Sequence, residues 1–362
     1  MGYNIGKLKH RKLAVRWASG VGNFYQDLFT EGIFTMEIIH DSAASLDPLK
    51  GKTVAIMGFG AQGRNQALCL RESGVHVIIG VRQGKSFEAA KEDGFEVMSV
   101  KEAAEKADLI QILLPDERHG EVYKNEIEAG LKPGNTLCCS HGFAYTFNTI
   151  VPPKDVNVIM VAPKSPGTEV YRRFMEGFGV PGLIAVHQNA TGDARDIALA
   201  YAKGLGLTRA GILECTMQQE TYEDLFGEQN VLCGGIVDLM LCGFEVLIEA
   251  GYPPEMAYFE CIHESKLIVD LIYEGGIQKM NAVISNTAEW GEYSNGPFIL
   301  PHEQMKALMR ESLRRVESGE FAKKWLAEAA AGAPNLNAKR AALAEHPAEI
   351  TGARIRSMFE KK

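Results

Sequence analysis

The fold of this chain is decided by Lys52-Thr53-Val54-Ala55-Ile56-Met57-Gly58-Phe59-Gly60-Ala61-Gln62-Gly63. A short apolar run leads directly into Gly-x-Gly-x-x-Gly, and a helical pattern follows at 65–71. Strand, glycine loop and helix in this order are what a dinucleotide-binding fingerprint requires. A second apolar run, at 75–79, comes at the distance expected of the next strand. A lone glycine triplet would be weak evidence, but this context predicts a nucleotide-binding site.

The glycines of this loop have separate roles. Gly58 permits the tight turn, Gly60 lets the backbone approach a pyrophosphate, and Gly63 allows the helix to pack closely. The helix N-terminus then presents N–H groups and the positive end of its dipole to the phosphates. The predicted cofactor contacts, taken with residues at or shortly after later strand ends, are Gly58, Phe59, Gly60, Ala61, Gln62, Gly63, Pro115, Asp116 and Gly167.

The loop after the second strand indicates which nicotinamide cofactor binds. An acidic residue there usually holds the ribose hydroxyls of NAD, whereas basic or hydroxyl groups accommodate the phosphate of NADP. Residues 80–86 contain no acid and offer Arg82, Lys85 and Ser86 to a phosphate, so we expect NADPH. The alternative is that Arg82 and Lys85 are solvated charges and that Ser86 caps a helix beginning at Phe87. Because the loop is short, dual specificity stays open.

The order of apolar runs and helical patterns predicts an α/β protein of two domains. Alternation of the two up to about residue 215 is typical of a doubly wound parallel sheet. Strands are predicted at 53–57, 75–79, 109–114, 136–140, 157–161 and 183–187, and helices at 61–73, 86–93, 101–106, 117–129 and 193–204. Beyond Met217 only helical patterns remain, at 219–251, 254–274, 303–317 and 319–331. We expect a Rossmann-type domain over 36–216 and an all-helical domain over 217–362, whose last 30 residues form a loosely packed tail.

Length and composition exclude several classes of function. With 362 residues, 46% apolar content and a net charge of −8, the chain fits a two-domain globular protein rather than a nucleic-acid binder. Its seven cysteines are scattered without a Cys-x-x-Cys motif, which favours a reducing, cytoplasmic location over a zinc site or disulfide framework. No apolar run approaches the ~18 uninterrupted residues of a membrane span. Residues 1–35 differ in composition from the rest and are a genuine extension, a targeting segment or the product of a start codon upstream of Met36.

Two pairs of carboxylates interrupt otherwise apolar helical patterns. Asp224 and Glu228, and then Glu260 and Glu264, are each spaced i, i+4, so both members of a pair share one helix face. Like charges in a poorly solvated place repel unless something neutralises them, and a divalent cation with oxygen ligands does so. Ordinary solvated helix faces are the alternative. Two such pairs downstream of a nucleotide loop favour a metal site.

Three other residues have the chemistry of a reaction site. His141 and Lys164 each follow a predicted strand, at the edge where open α/β sheets bind ligands. Either side chain is also compatible with a structural role. Ser285 on its own indicates a loop or cap residue. The patterns at 230–250 and 256–274 are apolar on most faces, which predicts burial against a second subunit.

Several motifs in order closely resemble ketol-acid reductoisomerase in its short bacterial and archaeal form. They are the glycine loop, Leu113-Leu114-Pro115-Asp116-Glu117, His141-Gly142-Phe143, Val161-Ala162-Pro163-Lys164, Asp224-Leu225-Phe226-Gly227-Glu228-Gln229, Ala257-Tyr258-Phe259-Glu260 and Leu267-Ile268-Val269-Asp270-Leu271-Ile272-Tyr273-Glu274. The resemblance covers about residues 36–359. It implies that two Mg²⁺ ions bind 2-acetolactate, that an alkyl group migrates, and that NADPH reduces the product to 2,3-dihydroxy-3-methylbutanoate. The ethyl homologue follows the same route, so the pathway implied is valine, leucine and isoleucine biosynthesis.

The resemblance also implies a role for each site residue. Asp224 bridges both metal ions, Glu228 binds one and Glu260 the other, and Glu264 contacts a metal-bound water or the substrate. His141 and Lys164 match the family's active-site histidine and lysine. Ser285 matches the contact to the substrate carboxylate. In this family Glu260, Glu264 and Ser285 come from the partner subunit, which implies a homodimer, or a multiple of dimers, with shared active sites.

Three positions depart from the family pattern, and two other functions compete with it. Ser165 stands where glycine is usual, Ser265 where leucine is frequent and Asn286 where aspartate is common. None of these removes a proposed ligand. A metal-free 3-hydroxyacid or 6-phosphogluconate-type dehydrogenase would need no paired carboxylates. A nucleotide-sensing binding protein should have lost at least one of the site residues.

Overall fold

The computed structural model describes residues 36–359, and the expectations for residues 1–35 lie outside that range. The first half of the sheet region is formed by β1 (Thr53–Met57), α1 (Ala61–Glu72), β2 (His76–Gly80), α2 (Lys85–Glu92), β3 (Glu96–Met98), α3 (Val100–Lys106), β4 (Leu109–Ile112) and α4 (Asp116–Val122). The second half contains β5 (Thr136–Cys139), α5 (Phe143–Thr146), β6 (Asn157–Pro163), α6 (Gly167–Met175), β7 (Gly182–Gln188), α7 (Ala194–Gly204), α8 (Leu207–Ala210) and β8 (Ile212–Glu214).

The eight strands form one twisted sheet in the order β3-β2-β1-β4-β5-β6-β7-β8. Alternate residues of β1 enter different cores: Val54 and Ile56 pack with α1 and α7, and Ala55 and Met57 pack with α3 on the other face. A strand buried on both faces must be apolar throughout, which is why these strands are continuous hydrophobic runs. The expectation of a Rossmann-type sheet followed by a helical region is confirmed.

The sheet differs from the predicted one in one pairing and two strands. β7 runs antiparallel to β6, because Pro163 pairs with Gly182 and β7 therefore starts at the edge where β6 ends. Helix α6 packs on α1 at that edge and does not carry the chain back across the sheet. The expectation of a wholly parallel sheet is wrong at this pair. The short strands β3 and β8 were not predicted, since three residues are too few to form a periodic pattern.

The helical region begins with α9 (Met217–Gly227), and its two acidic segments are π-helical. The remaining elements are the first π-turn (Glu228–Leu232), α10 (Gly234–Glu249), α11 (Pro254–Tyr258), the second π-turn (Phe259–His263), α12 (Ser265–Val283), α13 (Asn286–Ile299), α14 (His302–Glu317), α15 (Glu320–Ala330), α16 (Pro334–Ala344) and α17 (Pro347–Arg356). The predicted helices 219–251 and 254–274 are thus each two α-helices joined by a π-turn. Helix α13, which begins at the N-cap Ser285, was not predicted.

The expectation of a loosely packed tail fits α16, which buries none of its residues, but is wrong for α17. Ala348, Gly352 and Ile355 are buried at i, i+4 and i+7 on one face of α17. They pack against α10 and α11, where Arg356 Nη1 donates to Tyr258 Oη at 2.9 Å. In this alanine-rich segment the apolar stripe is narrow and hard to recognise in the sequence. It packs on α11, the helix that precedes the second π-turn.

Much of the apolar surface of the helical region is uncovered in a single chain. The stretch Met217–Glu249 is long and apolar enough to cross a membrane by length and composition alone, and 6% of the apolar window is buried. The expectation concerned an uninterrupted apolar run, and Asp238 and Glu245 interrupt the apolar part of this stretch. Exposed large side chains on α10, α12 and α13 include Val237, Leu239, Val246, Leu267, Val269, Ile272, Ile277, Trp290, Tyr293 and Phe298.

Candidate active site

The glycine loop lies at the carboxyl edge of the sheet, as its sequence predicts. Gly58 has φ +102° and a Cβ there would lie 2.5 Å from the carbonyl oxygen of Leu113, so a side chain is excluded. At Gly63 a Cβ would lie 2.2 Å from the carbonyl oxygen of Gly58. Because glycine has no side chain, α1 can start directly against the turn. Nothing lies within 4 Å of the corresponding point at Gly60. The backbone at Gly60 is therefore open to a ligand.

A cavity of about 660 Å³ extends from this loop to the end of β2. Arg82, Lys85 and Ser86 line it, together with Phe59 and Pro115. Helix α2 begins at Lys85 with Gly84 as its N-cap residue, so the alternative that Ser86 caps a helix starting at Phe87 does not hold. The three side chains are exposed and available to a bound phosphate.

A second cavity, of about 820 Å³, continues past the glycine loop toward α9. Its walls bring together residues from five separate segments. They include Gly60, Ala61, Gln62, Pro115, Asp116, His119, Ser140, His141, Lys164, Ser165, Asp224 and Glu228. His141 and Lys164 follow neighbouring strands β5 and β6, while Asp224 and Glu228 come from the start of the helical region. The sequence predicted this convergence at the carboxyl edge of the sheet.

Glu220 is the residue on which the polar groups of this cavity converge. Its side chain is 1% exposed. One oxygen accepts a hydrogen bond from the Gly142 amide at 3.0 Å and lies 3.2 Å from His141 Nδ1. The other oxygen accepts from Lys164 Nζ at 3.2 Å. A buried carboxylate with three donors is fully compensated, so it fixes where the imidazole and the ammonium group lie.

These contacts control protonation in the cavity. Burial by itself would lower the pKa of His141, but the hydrogen bond and charge of Glu220, with Asp116 and Asp224, raise it to about 9. Burial also opposes the charge on Lys164, yet Glu220 and Asp224 raise the pKa of that ammonium group. The pKa of Glu220 is lowered, because His141 and Lys164 outweigh its desolvation. At neutral pH both bases are therefore cations held by carboxylates.

Asp224 and Glu228 have the character expected of ligands for a hard cation. Lys164 Nζ donates to Asp224 Oδ1 at 3.0 Å, and the ligand atoms of His141, Glu220 and Asp224 lie within 4.8 Å of one another. Desolvation and then the neighbouring Asp224 raise the pKa of Glu228, and together they outweigh the opposing charges of His141 and Lys164. Oxygen donors with excess negative potential suit Mg²⁺.

The second acid pair is not part of this cavity in a single chain. Glu260, Glu264 and Ser285 are exposed and do not line the cavity within the described residues. The second π-turn contains Glu260 and ends one residue before Glu264, whose amide donates to the carbonyl of Phe259 at 3.0 Å. π-Turns are frequent at functional sites because they redirect side chains within a helix. Here they occur at both acidic pairs.

Sequence reasoning missed two residues and placed a third differently. Glu220 lies four residues before Asp224, so the 220, 224, 228 spacing was a signal for it. His119 is buried in the wall of the second cavity, with Nε2 2.8 Å from the carbonyl oxygen of Leu114; it has no comparable sequence signal. Gly167 lines neither cavity, and a Cβ there would lie 2.5 Å from the backbone of Ala61. The contact it makes in the structure is between α6 and α1.

Comparison with known proteins gives the same family for both regions. The family description "Acetohydroxy acid isomeroreductase, NADPH-binding domain" matches residues 48–211, and "Ketol-acid reductoisomerase, C-terminal domain" matches residues 217–361. The chain is 75% identical over 326 residues to "Ketol-acid reductoisomerase (NADP(+))" of Akkermansia muciniphila, covering 90% of this chain and 100% of that protein. It is 57% identical over 333 residues to "Ketol-acid reductoisomerase (NAD(+))" of the uncultured archaeon GZfos26G2, with 90% and 100% covered.

A solved structure agrees over the same range. The chain is similar to the structure of an NADH-preferring ketol-acid reductoisomerase from an uncultured archaeon, with a TM-score of 0.87 and 57% identity. The match covers 90% of this chain and 100% of that one. The resemblance seen in the sequence motifs is therefore confirmed across both regions.

Proposed function

The chain belongs to the ketol-acid reductoisomerase family, an oxidoreductase family of branched-chain amino acid biosynthesis, and from this premise we propose its substrates, metal and cofactor. The proposed reaction converts 2-acetolactate into 2,3-dihydroxy-3-methylbutanoate by alkyl migration and reduction, and the ethyl homologue in the same way. The observation that carries the proposal is the cluster of His141, Lys164, Glu220 and Asp224 at the end of the nucleotide cavity.

The chain's own residues supply proton handling in this proposal. The migration requires a proton to leave the 2-hydroxyl of the substrate, and the reduction requires one to reach the new alkoxide. His141 Nδ1 is held by Glu220 and the imidazole is a cation at neutral pH, so Nε2 can donate a proton to the new alkoxide. The neutral imidazole left behind returns to the cation by taking a proton from a 2-hydroxyl or from solvent. Lys164 adds a cation that stabilises negative charge developing on substrate oxygen.

Two Mg²⁺ ions are proposed between Asp224 and Glu228 of one chain and Glu260 and Glu264 of a second. When bound, such ions polarise carbonyl and hydroxyl oxygens as Lewis acids. The support from this chain is the set of carboxylate oxygens facing the cavity and the raised pKa of Glu228. Ser285, exposed at the start of α13, is proposed to reach the substrate carboxylate from the second chain.

NADPH is the proposed cofactor, and the reduced nicotinamide supplies the hydride when bound. Support comes from Arg82, Lys85 and Ser86 in the wall of the first cavity and from the lack of an acid in the loop 80–86. The 75% identical relative is named for NADP(+) and the 57% identical one for NAD(+). We expect Ser86→Asp to move the ratio of kcat/KM toward NADH, because a carboxylate repels the 2′-phosphate. Equal efficiency of the unmodified protein with both cofactors would argue against NADPH preference.

A second copy of the chain is the proposed partner for the uncovered apolar faces of α10, α12 and α13. Exposed apolar area of this extent marks an interface in a globular protein. The same arrangement would carry Glu260, Glu264 and Ser285 to a neighbour's cavity. Dimers, or multiples of dimers, are the assemblies expected.

The deciding experiment is NADPH oxidation by purified protein with 2-acetolactate, with and without Mg²⁺. We expect NADPH to be oxidised only when 2-acetolactate and Mg²⁺ are both present. Turnover of a simple 3-hydroxyacid that is indifferent to chelator would support the metal-free dehydrogenase instead. Cofactor binding without any turnover would support a nucleotide sensor.

A further inference from the structure

A buried polar network crosses the interior of the sheet region behind the second cavity. It consists of Gln62 and Gln66 on α1, Gln111 on β4, Ser140 at the end of β5 and Tyr201 on α7. Gln66, Gln111 and Tyr201 are 0% exposed and lie among apolar side chains. Polar groups in such a place are costly unless each finds a partner. We call these five residues the glutamine network.

Hydrogen bonding within the network is almost complete. Gln66 Nε2 donates to Gln62 Oε1 at 3.1 Å and to Ser140 Oγ at 3.0 Å. Gln111 Nε2 donates to Gln66 Oε1 at 3.2 Å and to Ser140 Oγ at 2.8 Å. Tyr201 Oη donates to Gln66 Oε1 at 3.0 Å. Gln111 Oε1 is the network atom left without a partner.

The hydroxyl of Ser140 uses its full hydrogen-bonding capacity in this arrangement. Its hydroxyl accepts from both glutamines and donates to the carbonyl of Val161 at 2.8 Å. Two lone pairs and one hydrogen are all that a serine hydroxyl has. The amides of both glutamines are therefore tied to the same hydroxyl, so a change in one affects the other.

The network reaches all three segments that must be aligned for reaction. Gln62 belongs to the glycine loop and its Nε2 donates to the carbonyl of Ser165, next to Lys164, at 3.1 Å. Ser140 immediately precedes His141. At these strand ends the sheet's own ladder stops, with Cys139 paired to Met160 as the last β5–β6 pair. Beyond that pair, the side-chain hydrogen bonds of Ser140 and Gln62 connect the loops that follow β5 and β6.

We propose that Gln66, Gln111 and Ser140 are positioning residues, which hold His141 and Lys164 in register with the nucleotide loop and transmit cofactor binding to them. Alignment of reacting groups is worth large rate factors, and misplacement by about 1 Å can cost roughly a hundredfold. A shared, saturated network moves as a unit. Cofactor contact at Gln62 therefore orders the loops after β5 and β6.

Amide hydrogen exchange of the full-length protein, with and without saturating NADPH, tests the transmission. In the unmodified protein we expect NADPH to slow exchange at 58–63 and also at 140–146. In Gln66→Leu, which has similar volume, the slowing at 58–63 should persist and that at 140–146 should be lost. Tyr201→Phe removes a single outer hydrogen bond and should behave like the unmodified protein. Retained protection of both segments in Gln66→Leu, or none at 140–146 in the unmodified protein, would overturn the proposal.

A kinetic measurement separates positioning from folding and rests on the proposed function. With NADPH deuterated at C4, Ser140→Ala should lower kcat by about tenfold or more, keep the KM for NADPH within about threefold and increase the primary isotope effect. Ser140→Thr keeps the hydroxyl and should restore all three. An unchanged isotope effect with lower thermal stability would mean a structural role alone. If the unmodified protein does not convert 2-acetolactate, the proposed function fails, while the exchange measurement still decides the network's role.

Discussion

The sheet region and the helical region of this chain satisfy their apolar residues in different ways. All four residues of β4 are buried, and the cores on the two faces of the sheet are closed within one chain. In contrast, α10 has 16 residues and Phe244 is the one that is fully buried. A domain whose apolar faces remain open has not completed its core. The sheet region closes its own core, whereas the helical region leaves large apolar side chains exposed in a single chain.

The site lies where these two regions meet, and this explains its division. Gly142 and Lys164 belong to the closed region, and Glu220 and Asp224 stand on α9 immediately after it. Glu260 and Glu264 lie farther along the open region and stay outside the cavity. The nucleotide half of the reaction is therefore complete in one chain. The proposed metal site is not, since Glu260 and Glu264 lie outside the cavity within the described residues, and the predictions below test that contrast.

Neutralising Asp224, which lies where the sheet region meets the helical region, should have the largest effect on kcat. In Asp224→Asn one anionic oxygen is lost from the cavity, and we expect kcat to fall by about a thousandfold or more. NADPH affinity, measured by fluorescence titration, should stay within about threefold because the nucleotide cavity is formed by the other region. Asp196→Asn, at an exposed position in the first turn of α7, is the matched control. Mg²⁺-dependent turnover retained in Asp224→Asn would contradict the metal role.

Mixing two inactive variants tests whether the open region is completed by a second copy. Asp224→Asn and Glu260→Gln, each inactive alone, should recover about a quarter of normal activity after co-refolding in equal amounts. Half of random dimers are then hybrids, and each hybrid has one intact site. Separate refolding followed by mixing without exchange is the control. No recovery, or an active monomer by light scattering, would show that each site is formed within one chain.

The nucleotide half was predictable from sequence because its signals are local. β-Branched runs, glycine spacing and the missing acid after β2 are each contained within a few residues. His141 and Lys164 could be placed because strand ends of an α/β sheet converge. The family resemblance then supplied roles that spacing alone left open.

The remainder depended on interactions that no local pattern carries. The spacing of Glu220 with Asp224 and Glu228 was a local signal, but its role was not, since only the fold brings the loops after β5 and β6 to it. The return of β7 antiparallel to β6 depends on how α6 packs, and the narrow stripe of α17 was hidden by its alanines. The first acid pair keeps its i, i+4 geometry, since the Glu228 amide donates to the Asp224 carbonyl, whereas the second π-turn changes the geometry between Glu260 and Glu264.

The first π-turn should be sensitive to a single methyl group. A Cβ at Gly234 would lie 2.1 Å from the carbonyl oxygen of Gln229, so Gly234→Ala forces this turn to change and moves Glu228. We expect Mn²⁺ binding, followed by electron paramagnetic resonance, to weaken by about tenfold, which corresponds to about 1.4 kcal/mol. Gly291→Ala, a helical glycine with nothing within 4 Å, is the control and should bind normally. Equal Mn²⁺ affinity in both variants would show that the turn does not position the ligand.

The smallest expected effect is the loss of stability and turnover on removing a helix capping box, one at the start of α3 and one at the start of α9. Ser99 Oγ accepts from the Glu102 amide at 3.2 Å at the start of α3, and Thr216 Oγ1 accepts from the Gln219 amide at 3.1 Å at the start of α9. Ser99→Ala and Thr216→Ala should each destabilise their helix by about 1 kcal/mol, measured by denaturation midpoints. Only α9 carries Glu220 and Asp224, so only Thr216→Ala should also lower kcat, by about two- to fivefold. Equal losses of kcat in the two variants would mean that kcat follows overall stability. The start of α9 would then have no particular role in aligning Glu220 and Asp224.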